Sequence, residues 1–424
     1  MSKTFMLMIV LALVVATTGY TQNINGSLAG RVVDQQGAVV PNASVIASDL
    51  TQKLNVTTKT NDQGTFVLAG LRPGNYSLRV EAAGFKKLDR PNIALNADEK
   101  LAIGDLVMEV GALTETVEVS AQATILQTES AERSDTIIGK QIENLQVNGR
   151  NPLDMTKLIP GVVDTANFQV GGPGGIGSIQ VNGNRGSANM LTINGIGNMD
   201  TGSNGSQNVT VSIDSTQEFH ILTGMYQAEY GRNAGAQIAV VTKSGSSDIH
   251  GSGYWYHRHD DLNANSWINN AKGIPRSLFR YNDPGYTVGG PVYIPKLLPQ
   301  RNRLFFFWSE EFQEQLAPNT VRNIQVPTAL ERQGNFSQSV NSSGRPVTIK
   351  DPLNGQPFAG NIVPANRLFG PGVALLNLFP QPNVSGQVGY NYTSQFSNSQ
   401  NRREDLLRID YNLSQNVRVF GHYI

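Results

Sequence analysis

The chain contains no cysteine in its 424 residues. That excludes a disulfide framework, CxxC redox chemistry and thiolate zinc sites. Charge is sparse and balanced, with 33 basic and 33 acidic residues making up 16% of the chain. Without a basic excess there is nothing to drive counterion release, so no nucleic-acid partner is expected. Histidine is scarce at five residues, and HExxH, GxSxG and DxDxDG patterns are missing. Catalytic residues, cofactors and a resident metal are therefore not expected, and the chain reads as a non-enzyme. No apolar run reaches the roughly 20 residues of a membrane-spanning helix. Glycine, by contrast, is abundant (43 residues), and Asn, Ser and Thr are plentiful. That composition suits turn-rich β-structure, and the length allows two or three domains with cores of their own.

The N-terminus carries an address. Lys3 precedes the apolar run FMLMIVLALVVA at residues 5–16, followed by polar TTGYTQN. One positive charge and about a dozen apolar residues make the h-region of a signal peptide. Residues 1–22 are assigned to it, with cleavage between residues 16 and 22. If the mature chain meets a membrane again, it must do so as a β-barrel.

Residues 26–110 show short alternating strands separated by the turns Asp34-Gln-Gln-Gly37, Asn61-Asp-Gln-Gly64 and Arg72-Pro-Gly74. Strands this closely spaced over about 85 residues predict a small β-sandwich. Gly30, Val32, Asp34, Gly37, Pro41, Ala43 and Val45, then Thr60, Gly64, Phe66, Leu71, Gly74, Tyr76, Leu78, Val80, Gly84 and Phe85 resemble the carboxypeptidase regulatory-like (transthyretin-like) fold. The segment has no histidine and no zinc-ligand spacing, so the resemblance implies no peptidase activity.

A linker follows at residues 111–123, and residues 124–247 are mixed in character. Asn151 is placed to cap a short helix that Pro152 begins and Pro160-Gly161 ends, and residues 140–145 predict another. The phrases DTIIGKQIENLQVNGRNPLDMTKLIPGVV and IQVNGNRGSANMLTINGIG are similar to the plug domain of Oar-like TonB-dependent outer-membrane receptors. Residues 218–260, EFHILTGMYQAEYGRNAGAQIAVVTKSGSSDIHGSGYWYHRHD, resemble the passage from plug into the first barrel strand. Within the linker, Thr114, Glu115, Thr116, Val117, Glu118, Val119 and Ser120 resemble the TonB box. Such an extended segment pairs as an added strand with a periplasmic TonB-type coupling protein. An ordinary last strand or linker is the other reading, and here a whole domain precedes the segment.

Residues 248–424 hold all three tryptophans, Trp255, Trp267 and Trp308, with Tyr254, Tyr256, Tyr286 and Tyr293. Aromatic girdles and lipid/lumen alternation mark outer-membrane barrels. Residues 404–424 predict a hairpin with Leu407, Ile409 and Tyr411 on one face and Glu404, Arg408 and Asp410 on the other. Residues 319–398, rich in Asn, Gly, Pro and Ser, suit long extracellular loops. A plugged barrel of about 22 strands needs several hundred residues, and the roughly 175 present suffice for about six to eight strands, so an N-terminal fragment is expected.

Two motifs invite chemistry. Gly172, Gly174 and Gly177 form a literal GxGxxG, but Ser178-Ile-Gln-Val-Asn after it reads as a strand, where a dinucleotide site needs a helix. If Tyr254 and Tyr256 face lipid, then Trp255, His257 and His259 face the lumen and offer solute contacts; polar residues at a strand–loop junction are the alternative. Glu310, Glu311 and Glu314 lie on an aromatic strand and its exit, as lumen or loop residues.

The expectation is a mainly β chain: a β-sandwich, a small α+β plug, and the first strands of an incomplete antiparallel outer-membrane β-barrel at residues 248–424. The resemblance implies solute uptake across a Gram-negative outer membrane, with membrane lipid, a coupling protein and an unknown extracellular solute as partners, and with the N-terminal domain in the periplasm. The alternative is a secreted or periplasmic carbohydrate-binding sandwich protein without transport.

Overall fold

The computed structural model describes residues 24–112, 116–118, 130–145, 147, 149–165, 176–228, 230–231, 233–271, 275–296, 302–318, 321–414 and 417–424. The expected signal peptide, residues Thr114, Glu115, Val119 and Ser120, and residues 172–175 of the glycine run lie outside them. Two compact units are present: Met1–Trp255 with Asp283–Gln313 and Arg402–Ile424, and Tyr256–Asn282 with Glu314–Asn401.

The first unit begins with eight strands: β1 (Gly26–Asp34), β2 (Ser44–Asp49), β3 (Asn55–Lys59), β4 (Thr65–Leu71), β5 (Gly74–Glu81), β6 (Lys87–Leu95), β7 (Lys100–Met108) and β8 (Thr116–Glu118). They form two sheets, β4-β1-β7 and β3-β2-β5-β6-β8. The period of two explains the core: Phe66, Leu68 and Leu71 of β4 are buried while Val67 is exposed. They meet Val45, Tyr76, Leu78 and Val80 of the other sheet. Asp34 Oδ1 accepts from Gln36 N (2.9 Å) and Ala38 N (2.8 Å), fixing the first expected turn. Gly64 (φ 71°) is needed at the second, because a Cβ there would lie 2.7 Å from the Val32 carbonyl oxygen.

Next come β9 (Arg133–Ile138), β10 (Val162–Asp164), β11 (Ile179–Val181), β12 (Met190–Ile193), β13 (Ile196–Gly197), β14 (Thr216–Gly224) and β15 (Gln237–Thr242). Five of them make the mixed sheet β13-β12-β15-β14-β9, in which β12 and β15 are parallel. Asn194 and Gly195, at φ 50° and 82°, close the β12–β13 hairpin, as a two-residue turn requires. A helix occupies Gly139–Asn144, and the segment Pro152–Leu158 is a 3-10 helix capped by Asn151, whose side chain accepts from Leu153 N. The chain after Ile176–Ser178 enters strand β11, so the glycine run opens no dinucleotide-binding helix.

The remaining strands are β16 (His250–His259), β17 (Arg280–Pro291), β18 (Leu304–Pro318), β19 (Arg322–Ile324), β20 (Tyr392–Ser394), β21 (Ser397–Asn412) and β22 (Arg418–Tyr423). The long ones form an ordered wall, β16-β17-β18-β21-β22. Five wall strands appear among the described residues, fewer than the roughly six to eight expected. The reason is that the chain between β18 and β21 is one connection whose strands, among the described residues, are the short β19 and β20 beside several short helices. On β21, Arg408 and Asp410 are buried while Ile409 is 43% exposed, and Val419 and Tyr423 of β22 are exposed. Polar side chains pointing in and apolar ones pointing out reverse the pattern of a soluble sheet and match a lipid-embedded wall.

The second unit has its own supports. Thr328 and Glu331 form a capping box on the helix Ala329–Arg332. The Arg332 guanidinium donates to the carbonyls of Pro327, Leu376 (2.6 Å), Phe379 (3.0 Å) and Pro380 (2.8 Å). Arg367 grips Asp351 with two hydrogen bonds of 2.7 and 2.8 Å. That grip holds the Asp351 carboxyl at about 2, below its ordinary value.

Candidate functional site

The most concentrated buried charge in the first unit surrounds Arg150. Its backbone is left-handed (φ 50°), immediately before the Asn151 cap, which turns the side chain away from the 3-10 helix. The guanidinium pairs with Asp214, places Nε 3.0 Å from Asp283 Oδ2 of β17, and places Nη2 3.8 Å from Glu311 Oε2 of β18. Tyr254 of β16 covers it, the ring centroid 5.1 Å from the guanidinium carbon, and donates its hydroxyl to Glu311 at 2.9 Å. Thus residues from three adjacent wall strands converge on one cation from the mixed domain. Asp283 and Glu311 are 0% and 2% exposed, so water screens little of the interaction. Buried pairs of this kind add little net stability, but removing one partner strands the other.

A second network lies at the end of β15. Arg408 sets Nε 3.1 Å from Asp410 Oδ2 and donates Nη1 to the Thr242 carbonyl (2.9 Å). Asn194 of the β12–β13 turn closes it, donating to Thr242 Oγ1 (2.8 Å) and accepting from Thr242 N (2.9 Å). On β14, burial lowers His220 to about 4, leaving a neutral ring whose Nδ1 lies 2.7 Å from Thr136 Oγ1.

The expected site residues fall in separate places. Thr116, Val117 and Glu118 form β8, added to the sandwich in parallel register with Lys87, Leu88 and Asp89. Tyr254 of β16 turns toward Arg150 and Glu311, where its hydroxyl finds a buried acceptor. Trp255 is 68% exposed on the opposite side of the strand, and the two-residue period puts His257 and His259 on the side of Trp255. His257 Nδ1 bonds Asn282 Oδ1 at 2.7 Å. His259, Asp260 and Asp261 cluster, yet His259 Nδ1 accepts from Asp261 N and the Arg276 guanidinium lies 3.3 Å from Asp261. The cluster's charge is thus met within the loop. Glu311 is an interior residue, as expected, whereas Glu310 points the other way and pairs with Arg403 at 2.5 Å. Sequence reasoning missed Arg150, Asp214 and Asp283; an Arg set directly before an Asn-Pro helix start was the available signal for the first.

Three family models match in succession: a carboxypeptidase regulatory-like domain at residues 27–109, a TonB-dependent receptor plug domain at residues 127–236, and an outer membrane beta barrel domain at residues 241–424. A plug leading into such a barrel is the arrangement of the TonB-dependent receptors of the outer membrane, and this chain carries both matches in that order. It is similar to the TonB-dependent transporter Oar of Myxococcus xanthus, at 27% identity over 288 residues. That match covers 64% of this chain and 26% of the relative, so the chain spans about a quarter of that protein's length. Among solved structures, the ferric enterobactin receptor of Pseudomonas aeruginosa is 11% identical with a TM-score of 0.35, covering 66% of this chain and 31% of that one. The siderophore receptor PirA from Acinetobacter baumannii is 14% identical with a TM-score of 0.33, covering 66% and 38%.

Proposed function

We propose that this chain forms the periplasmic sandwich, plug and opening wall of an outer-membrane transporter, driven through a TonB-type coupling protein and taking up an extracellular solute without covalent chemistry. The observation that carries this reading is the Arg150 mooring: one plug cation held by Asp283 and Glu311 of the wall. A plug held by a few buried ionic contacts has a defined closed state and a small set of interactions to break. Solute and applied force then act by favouring the unmoored state over the moored one.

Thr114, Glu115, Thr116, Val117, Glu118, Val119 and Ser120 are the coupling segment in this proposal. Among the described residues, β8 is an edge strand of its sheet, which supports strand addition by the coupling protein. The carbohydrate-binding alternative finds no support in the sandwich: Phe66 and Tyr76 are buried and Phe85 packs partly buried against the core, leaving no aromatic platform among them.

Pull-down of the protein by the periplasmic domain of a TonB-type protein tests the reading. Val117→Pro removes a strand N–H and is expected to cut recovery by about tenfold or more. Equal recovery of variant and wild type overturns the coupling assignment.

A further inference from the structure

The sandwich is fastened to the plug and wall, all within the first unit. Gln52, 2% exposed, donates Nε2 to the Gly245 carbonyl (3.0 Å), and the neighbouring Thr51 carbonyl accepts from Ser247 N (3.0 Å). Arg72 donates Nη1 to Gln52 Oε1 (3.1 Å) and places Nη2 3.2 Å from the wholly buried Asp410 of β21. On the other side, Ala97 N donates to Glu218 Oε1 (2.7 Å), and Ile24 and Ala97 pack on Val241. Gln217 Nε2 donates to the Pro73 carbonyl (3.3 Å) between these points.

The partners are the strand ends of the plug, its exit toward β16, and the turn end of the β21–β22 hairpin. Contacts between freely moving domains are mostly polar and wet. Here, instead, two carboxylates are buried against the sandwich: Glu218 accepts a backbone N–H from it, and Asp410 takes Arg72 in addition to Arg408. Undocking removes that N–H from Glu218 and one of its two cations from Asp410, so the docked state has a barrier to leaving. The strand β8 belongs to the same sandwich, hydrogen-bonded to β6, so tension on it reaches the sandwich through that register.

We propose that the sandwich is a lid latched across the strand ends of the plug by Arg72–Asp410, Gln52–Gly245 and Ala97–Glu218, and that tension on β8 lifts this lid before the plug leaves its Arg150 mooring. The second half rests on the coupling role proposed for β8. The lid makes plug release a two-step event: the latch yields first, and only then does the buried mooring take the load.

Because the chain lacks cysteine, Val241→Cys, and separately Ala97→Cys, report on the latch in cells expressing the protein. Val241 and Ala97 are 2% and 1% exposed where the sandwich meets the plug, and a periplasm-accessible maleimide labels them only when the lid lifts. Labelling is expected to be about tenfold faster or more with the inner-membrane proton gradient intact than with it dissipated, because the rate follows the open population. Adding Arg72→Ala is expected to make labelling fast in both conditions. Gradient-independent slow labelling of both reporters, in cells where the coupling protein still co-purifies, overturns the lid and leaves the coupling role standing. The same labelling with no co-purification overturns both. Band shift on unheated gels confirms that each reporter protein is folded.

Discussion

Arg150 Nε lies 3.0 Å from Asp283 Oδ2, with the two side chains 10% and 0% exposed. That single approach joins the plug to the second wall strand, and Glu311 and Tyr254 add the strands on either side. The geometry makes Arg150 a keystone whose loss removes the cation facing two buried acids of the wall. Arg150→Ala is expected to destabilise plug seating by about 3–5 kcal/mol, the usual cost of leaving a buried charge without its partner. Urea titration of the detergent-solubilised protein, followed by maleimide labelling of a cysteine placed in the buried plug core, reads this directly. Arg150→Lys should recover only part of the loss, because an ammonium cannot span the same fork of acceptors.

Glu218 gives a pH dependence with a definite sign. Burial pushes its carboxyl from 4.5 up to about 7, the Ala97 N–H opposes the shift, and the nearby Glu99 charge adds to it. A folded value above the unfolded one means that this residue's contribution is fully present below 4.5 and is lost as pH rises through about 7. Glu218→Gln keeps an oxygen for Ala97 N–H and removes the charge. The variant is expected to be more stable than wild type at pH 8, by on the order of 2–3 kcal/mol, and close to it at pH 4. Thermal melts at the two pH values check this; an unchanged difference across the window would refute it.

The long connection between β18 and β21 depends on Arg332, which is 8% exposed and answers four carbonyls, that of Pro327 and those of Leu376, Phe379 and Pro380. A charged donor is worth roughly 1.5–3 kcal/mol per hydrogen bond, so Arg332→Ala should loosen this unit by about 3 kcal/mol or more. Hydrogen exchange should rise across residues 327–380 while the Arg150 region stays protected. A uniform rise over the whole chain would contradict the local account.

Much of this was legible in the sequence, and the pattern of success is physical. Asn151 with Pro152 and the Asn61–Gly64 turn announce themselves because caps and turns are local chemistry. Leu407, Arg408, Ile409 and Asp410 announce a two-faced strand because alternation is local too. What alternation cannot supply is which face is wet: it puts Tyr254 and Tyr256 on one face, and only the fold brings the Tyr254 hydroxyl to Glu311, 57 residues away. The Arg150 site is likewise assembled from positions up to 161 residues apart, as the Arg150–Glu311 contact shows. Composition has no access to such a meeting, and Arg332 was invisible for the same reason, its partners being backbone carbonyls brought in by tertiary folding.

Trp255 provides the sharpest test of how β16 faces. Its side chain is 68% exposed on the face opposite Tyr254, where the outer-membrane assignment puts lipid. Indole at a barrel's outer girdle contacts acyl chains and headgroups, whereas indole in a lumen contacts water. In vesicles containing brominated phospholipid, wild-type tryptophan emission is expected to be quenched, and Trp255→Phe should remove a distinct share of that quenching. Aqueous iodide should then reach Trp267, 82% exposed on its short helix, more readily than Trp255. If iodide quenches Trp255 fully and brominated lipid leaves it untouched, the residue faces water and the inward placement of Tyr254 is wrong.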